Sequence, residues 1–217
     1  MPFTVEKCTE ADLPRFFEIV SLAFRHDHEY IDSVFPDHDT PAGREAGAER
    51  MLATMKADIN AIFLKVVNDE RKIIAAAKWN IYDGVVPPKP ELTGDYWKDG
   101  DEKEFAKHMF DGYLVPRCQD IKDSRGNLAT LDMLIVDPYY QRQGAGRMLV
   151  QWGTAVADRL GVEAVVEAGD YGRGLYAQEG FEVLDKYEVP VPEKWAARRK
   201  QWFWWMKRPA LAPAPKN

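Results

Sequence analysis

A single α/β domain is the fold class this sequence predicts, and three observations carry that prediction. The chain has 217 residues, a segment at 61–81 has the pattern of a β-hairpin, and residues 131–168 read as strand, Gly-punctuated turn, helix and strand. The length is enough to bury a sizeable core and too short for two full enzymatic domains. Hydrophobic residues at 46% and charged residues at 29% match a globular chain that folds by itself, which sets disordered and collagenous classes aside.

Each element follows from local pattern. Phe3, Val5 and Lys7 alternate with Thr4, Glu6 and Cys8 before Thr9 and Asp12, the pattern of an opening strand and a helix cap. Leu13, Phe16, Phe17, Val20 and Phe24 then repeat along one helical face. The polar stretch FPDHDTPAGREAG reads as a loop ahead of a second helix around 48–57. Segments 61–67 and 73–81, apolar and β-branched, flank the polar turn NDERK as an antiparallel hairpin. From 84 to 128 the pattern breaks: Pro87, Pro88, Pro90 and several glycines leave room for one short helix near 101–110. An insertion this long inside a compact domain is usually functional or mobile.

Residues 131–136 form an apolar strand ended by Asp137 and Pro138, and the helix beyond the turn is expected to present Leu149, Trp152, Val156 and Leu160 on one face. A strand at 162–168, a short helix at 172–178 and strands at 181–189 and 201–206 complete a domain over 1–209. The Pro- and Ala-rich stretch 210–217 is expected to fray.

Composition narrows the partners. A net charge of -6 argues against sequence-independent binding to nucleic acid or an anionic membrane, so a phosphate-bearing ligand needs a local device. Two cysteines, Cys8 and Cys118, without CxxC spacing point to a reducing compartment and inert thiols. The amino terminus lacks the apolar run of a secretory signal, and no stretch is long enough to span a membrane, so the cytoplasm is the expected location. His26, His28 and His38 have no Cys or HExxH companion, so no metal is expected; His26 and His28 are read as solvated residues at a helix end, with contact to a substrate as the alternative.

The local device is the turn after Val136. Gly144 and Gly146 in QRQGAGRMLV fall where a strand gives way to a helix, and there several backbone N–H groups lack intrahelical partners. With the positive end of the helix dipole behind them they suit a pyrophosphate, which glycine lets approach closely; Arg142 and Arg147 add charge at the rim. The stretch is neither a Walker loop nor a dinucleotide GxGxxG. It reads V-x-P-x-x-Q-x-x-G-x-G at Val136, Pro138, Gln141, Gly144 and Gly146, followed by L-Y-x-x-x-G-F at Leu175, Tyr176, Gly180 and Phe181.

These residues resemble the signature of the GCN5-related N-acetyltransferase (GNAT) superfamily, specifically over 131–181, and the phrase around them is similar to small single-domain fungal members. The resemblance implies a mixed, mostly antiparallel sheet of about six or seven strands flanked by helices. It implies acetyl-CoA as co-substrate, with its pyrophosphate on the loop at Gln141, Arg142, Gln143, Gly144, Ala145, Gly146 and Arg147 and its pantetheine arm on the strand residues Leu134, Ile135 and Val136. Tyr176 stands where the family places the phenol that protonates the departing thiolate, against the plainer reading of an aromatic packed on Leu175 and Phe181. One departure is Gly169 and Asp170, where related sequences often carry a Ser or Asn that contacts the cofactor, and Gly174 replaces a bulkier residue.

An ammonium acceptor must lose a proton before it attacks, and two carboxylates are candidate bases. Asp132 shares a strand face with Leu134 and Val136 by simple alternation, and Glu167 ends the next strand; either is alternatively a structural acid. The aromatic run at Trp202, Phe203, Trp204 and Trp205 reads as a buried closing strand, or as a wall of the acceptor cleft or a homodimer contact; Arg198, Arg199 and Lys200 read as a solvated face. The expected acceptor is a small primary amine. A protein lysine or N-terminal amine and a non-catalytic CoA-binding role are the alternatives; a deep pocket walled by 84–128 favours the small amine, an open groove the protein acceptor.

Overall fold

In a computed structural model, which describes residues 3–211, seven strands form one sheet. They are β1 (Thr4–Lys7), β2 (Ala61–Val67), β3 (Ile73–Asp83), β4 (Asn127–Val136), β5 (Glu163–Ala168), β6 (Glu182–Glu188) and β7 (Trp202–Arg208), in the order β1-β2-β3-β4-β5-β7-β6. Only β4 and β5 run parallel, so the sheet is mixed and mostly antiparallel as expected. The helices are α1 (Leu13–Phe24), α2 (Glu29–Val34), α3 (Pro41–Ala57), α4 (Gly100–Tyr113), α5 (Val115–Asp123), α6 (Ala145–Leu160) and α7 (Asp170–Gln178). Residues 212–217 of the expected tail lie outside the described ones.

Helices cover both sheet faces. On one, Leu149, Val150 and Ala157 of α6 pack with Ala77, Trp79, Ala129 and Leu131, and Tyr176 of α7 joins them. On the other, α1 and α3 lie over one half of the sheet, and α4 and α5 pack with Leu128, Val165, Phe203 and Trp205 over the other half. The buried stripe of α6 is not the expected one: Trp152 and Val156 are half-buried and Leu160 is exposed. The stripe instead runs through Gly146, Leu149, Val150, Gly153 and Ala157. Gly153 decides this, because a Cβ there would stand 2.1 Å from the Trp79 ring, whose Nε1 donates to Leu149 O at 3.2 Å.

Two segments expected to be irregular are helical. The loop around FPDHDTPAGREAG contains the start of α3, capped by Thr40, whose Oγ1 accepts from Gly43 N at 3.0 Å, with Pro41 in the first turn. The helix α2 stands between α1 and that segment, where no element was expected. Gly47, which looked like loop punctuation, lets α3 close on α1: its Cβ would fall 2.1 Å from the Phe17 ring. The insertion holds two helices, not one short one. Asp99 caps α4 by accepting from Glu102 N at 3.0 Å, and α5 follows almost at once; residues 84–99 remain irregular.

The feature that positions the site is where the parallel ladder stops. The last β4–β5 pairs are Thr130↔Val165 and Leu131↔Val166, after which β4 runs on to Val136 and β5 to Ala168 without pairing, and a gap opens between them. On its other side β4 stays paired to β3. A bulge interrupts that pairing: Trp79 faces Leu131 and Lys78 faces Met133, which leaves Asp132 without an opposite residue.

Candidate active site

The bulge corrects the face expected for Asp132. Alternation alone would place Asp132 beside Leu134 and Val136, but the extra residue shifts the phase. Leu134 and Val136 pack on the α6 side near Gly146. Asp132 instead meets Lys78 Nζ at 2.7 Å, accepts from Thr130 Oγ1 at 2.9 Å and pairs with Arg117. From α5, Arg117 also grips Glu167, with Nε on Oε1 at 2.9 Å and Nη2 on Oε2. Both expected bases are therefore held by one buried guanidinium. Burial alone would raise the Asp132 carboxyl, but Arg117 and Lys78 reverse this and hold it below the usual carboxylate range. For Glu167 burial wins: its carboxyl is raised, Arg117 offsets only part of the effect, and the Asp132 charge adds to it.

A cavity of about 1610 Å³ opens at the gap, and Asp132, Glu167 and Tyr176 all line it. So do Leu134, Ile135 and Val136 and, from the turn, Gln141, Arg142, Gly144, Ala145, Gly146 and Arg147. Gln143 is the exception: its side chain turns away, donates to Tyr139 O at 3.4 Å and borders a separate small depression with Phe3 and Asn68. Beyond Asp132, alternate residues of β4 direct backbone groups toward the unpaired side, as an edge strand does.

The turn itself is braced. Asp137, buried, accepts from Tyr139 N at 3.0 Å and pairs with Arg15 of α1, while its own N–H bonds Ile74 O at 2.9 Å. Gln141 Nε2 reaches back to Val136 O at 3.4 Å. Gly144 has φ +95 and caps α6 without a side chain; the first amide with a helical partner is that of Met148, on Gly144 O at 3.2 Å. Among the described residues the N–H groups from Arg142 to Arg147 find no partner. A Cβ built on Gly144 meets nothing within 4 Å, so the space beside these donors is open. Of the rim arginines, Arg147 is tied to Gln178 and, at 3.0 Å, to Glu179.

Tyr176 is buried beside Phe181, ring centroids 5.9 Å apart, and Gly172 makes room for its ring, since a Cβ there would stand 2.7 Å from Cε2. Its hydroxyl has no hydrogen-bond partner among the described residues. Burial raises the phenol above its usual range and the Glu167 charge adds to the rise. α7 is anchored by Trp204 Nε1, which donates to Asp170 Oδ1 at 3.0 Å. Asp170 thus points to β7, and lines the cavity as well.

A family model described as Acetyltransferase (GNAT) family matches residues 28–181. The chain belongs to that family. Among the curated proteins no match is found. Solved structures share the GNAT fold. One, described as histone acetyltransferase HPA2 and related acetyltransferase from Corynebacterium glutamicum, is 18% identical with TM-score 0.63, covering 99% of each chain. Arylalkylamine N-acetyltransferase 2 from Aedes aegypti is 13% identical with TM-score 0.62, covering 96% of this chain and 99% of its own. A phosphinothricin acetyltransferase from Sinorhizobium meliloti, in complex with AcCoA, is 15% identical with TM-score 0.56, covering 99% and 95%. The gap between β4 and β5 is thus the cleft of a GNAT acetyltransferase fold.

Several residues around this gap were missed in the sequence or read chiefly in another way. Arg117 lay in a segment read as mostly irregular. His28, read as solvated, is half-buried on the cavity wall: burial of its ring, helped by the Arg199 charge, lowers its imidazole to about 4, and its buried Nδ1 has no partner among the described residues. Tyr30 and Tyr113, ring centroids 4.2 Å apart, line the same wall. Arg198 and Arg199 are not simply solvated, since they pair with Glu102 at 2.8 Å and Asp32 at 2.6 Å. The aromatic strand β7 lies inside the sheet with Phe203 and Trp205 buried, and Trp202 faces the cavity.

His26, Asp32 and His38 come together with ligand-type atoms within 4.8 Å. Asp32 Oδ1 lies 3.0 Å from His26 Nδ1 and 2.9 Å from His38 Nε2, and Arg199 occupies its other oxygen. Hydrogen bonds account for this grouping, and a guanidinium on the carboxylate opposes a cation beside it. Among the described residues no helix is long and apolar enough to cross a membrane.

Proposed function

We propose that this chain transfers the acetyl group of acetyl-CoA to the nitrogen of a small primary amine with an aromatic or apolar body, by direct attack on the thioester. The supporting observation is that the insertion lines the cavity with residues 86–93, Tyr96, Tyr113 and Cys118, together with the aromatic residues Phe24, Tyr30 and Trp202. Such an enclosure suits a compact acceptor better than an extended polypeptide. The arylalkylamine N-acetyltransferase and phosphinothricin acetyltransferase among its structural neighbours are named for small acceptors. Reduced Cys8 and Cys118 fit a cytoplasmic enzyme.

On this reading the amides of Gln143 to Arg147 hold the pyrophosphate, and the open backbone of Leu134, Ile135 and Val136 holds the pantetheine arm. Tyr176 gives its proton to the leaving thiolate. Glu167 takes the proton of the amine, because a raised carboxyl is the better base and each of its oxygens keeps a lone pair beyond the Arg117 bonds. Asp132, held ionised by two cations, acts as a fixed charge.

Thiol release from acetyl-CoA, measured with arylalkylamines, aliphatic amines and lysine peptides, tests the acceptor class. We expect kcat/KM for arylalkylamines to exceed that for peptides about tenfold or more; the reverse order would transfer the reading to protein acceptors. Glu167→Gln is expected to lower kcat about tenfold at neutral pH and Asp132→Asn less. The Glu167 loss should shrink as pH rises, since the amine then arrives already deprotonated. A pH-independent loss would make Glu167 a structural acid.

A further inference from the structure

The β4–β5 ladder ends at Leu131↔Val166, so the next rung in register would join Asp132 to Glu167. No backbone pair forms there. Instead the carboxylates of these two residues are joined through one guanidinium, that of Arg117, which arrives from the insertion. Its Nε–Nη2 edge lies on Glu167 and its Nη1 on Asp132, so two different edges address two different strands. Lys78 at 2.7 Å and Thr130 at 2.9 Å fix Asp132 from β3 and β4. Two cations thus face two carboxylates, and the cluster is neutral as a whole.

We infer that Arg117 is a positioning residue whose guanidinium replaces the first missing rung and sets the width of the β4–β5 gap where the pantetheine arm enters. The inference rests on the acetyl-CoA reading of that gap. It makes the insertion part of the cofactor site as well as an acceptor wall. It also explains why an arginine stands there, since a lysine offers one point charge and spans only one of the two carboxylates.

A gap-setting role predicts a split that loss of general stability does not produce. Coenzyme A occupies both the Gly144 loop and the gap, whereas adenosine 3′,5′-bisphosphate has no pantetheine arm and reaches only the loop side. Isothermal titration of Arg117→Lys and Arg117→Gln should show CoA affinity reduced about tenfold in both, with bisphosphate affinity unchanged within about twofold. Because a lone guanidinium deletion leaves two largely buried carboxylates, the quadruple variant K78M/R117M/D132N/E167Q, which removes the four charges together, serves if the single variants do not fold. The same split is expected of it. Equal weakening of both ligands, or CoA binding unchanged in every folded variant, would overturn the inference. Wild-type protein that bound neither ligand would sink the acetyl-CoA reading, and the inference with it.

Discussion

Replacing Tyr176 with Phe should lower kcat about ten- to a thousandfold while leaving the CoA dissociation constant nearly unchanged. The ring keeps its place, because its contacts are with Phe181 and the space left by Gly172, and the hydroxyl bonds nothing among the described residues. What is lost is one proton donor. Burial and the Glu167 charge keep that phenol protonated throughout the working pH range, so the acid form is always present. The same surroundings make a thiolate costly, which raises its basicity and keeps transfer from a weak acid feasible. A group that acts on charge present only as the thioester breaks contributes to kcat and not to ground-state binding. Single-turnover transfer, measured beside the steady state, separates chemistry from product release. Wild-type single-turnover rates in the Phe variant would make Tyr176 a packing residue, with the proton reaching sulfur through water.

Much of this arrangement was legible in the sequence because it follows from local pattern. β2 spans 61–67 and α1 spans 13–24, as periodicity predicts. The Gly144–Gly146 turn was readable because strand, glycine and helix are contiguous there. What escaped was non-local. The partners of Arg117 are Asp132 and Glu167, 15 and 50 residues away, and no spacing rule joins them. The bulge that turns Asp132 to the other face depends on its register with Lys78 and Trp79, which a single strand does not reveal. Gly47 and Gly153 misled for one reason: each sits where an aromatic ring needs its space, so small residues mark contact faces that an apolar count overlooks. His28 was misread because its burial comes from Phe24, Tyr30 and Tyr113, the last from the insertion.

The Gly144 loop gives the other large effect: Gly144→Asp should weaken CoA binding about a hundredfold or more without unfolding the protein. A Cβ at Gly144 meets nothing within 4 Å, so no protein atom is displaced. The φ of +95 adds strain, but aspartate tolerates positive φ better than most residues, so this costs about 1 kcal/mol. With open space at that position, the carboxylate stands next to the unpartnered amides of Arg142 to Arg147 and competes for them. A ligand pyrophosphate would then lose its donors and meet a like charge a few ångströms away, a penalty of a few kcal/mol. Two companions separate the causes. Gly144→Ala carries the strain without the charge, and Gly144→Asn carries the shape of the carboxylate without its charge, so affinity should fall in the order Ala, Asn, Asp. Wild-type protein should melt at a higher temperature with CoA, whereas the Asp variant should melt at the same temperature with and without it. A folded Gly144→Asp protein that binds CoA as the wild type does would remove the pyrophosphate from this loop.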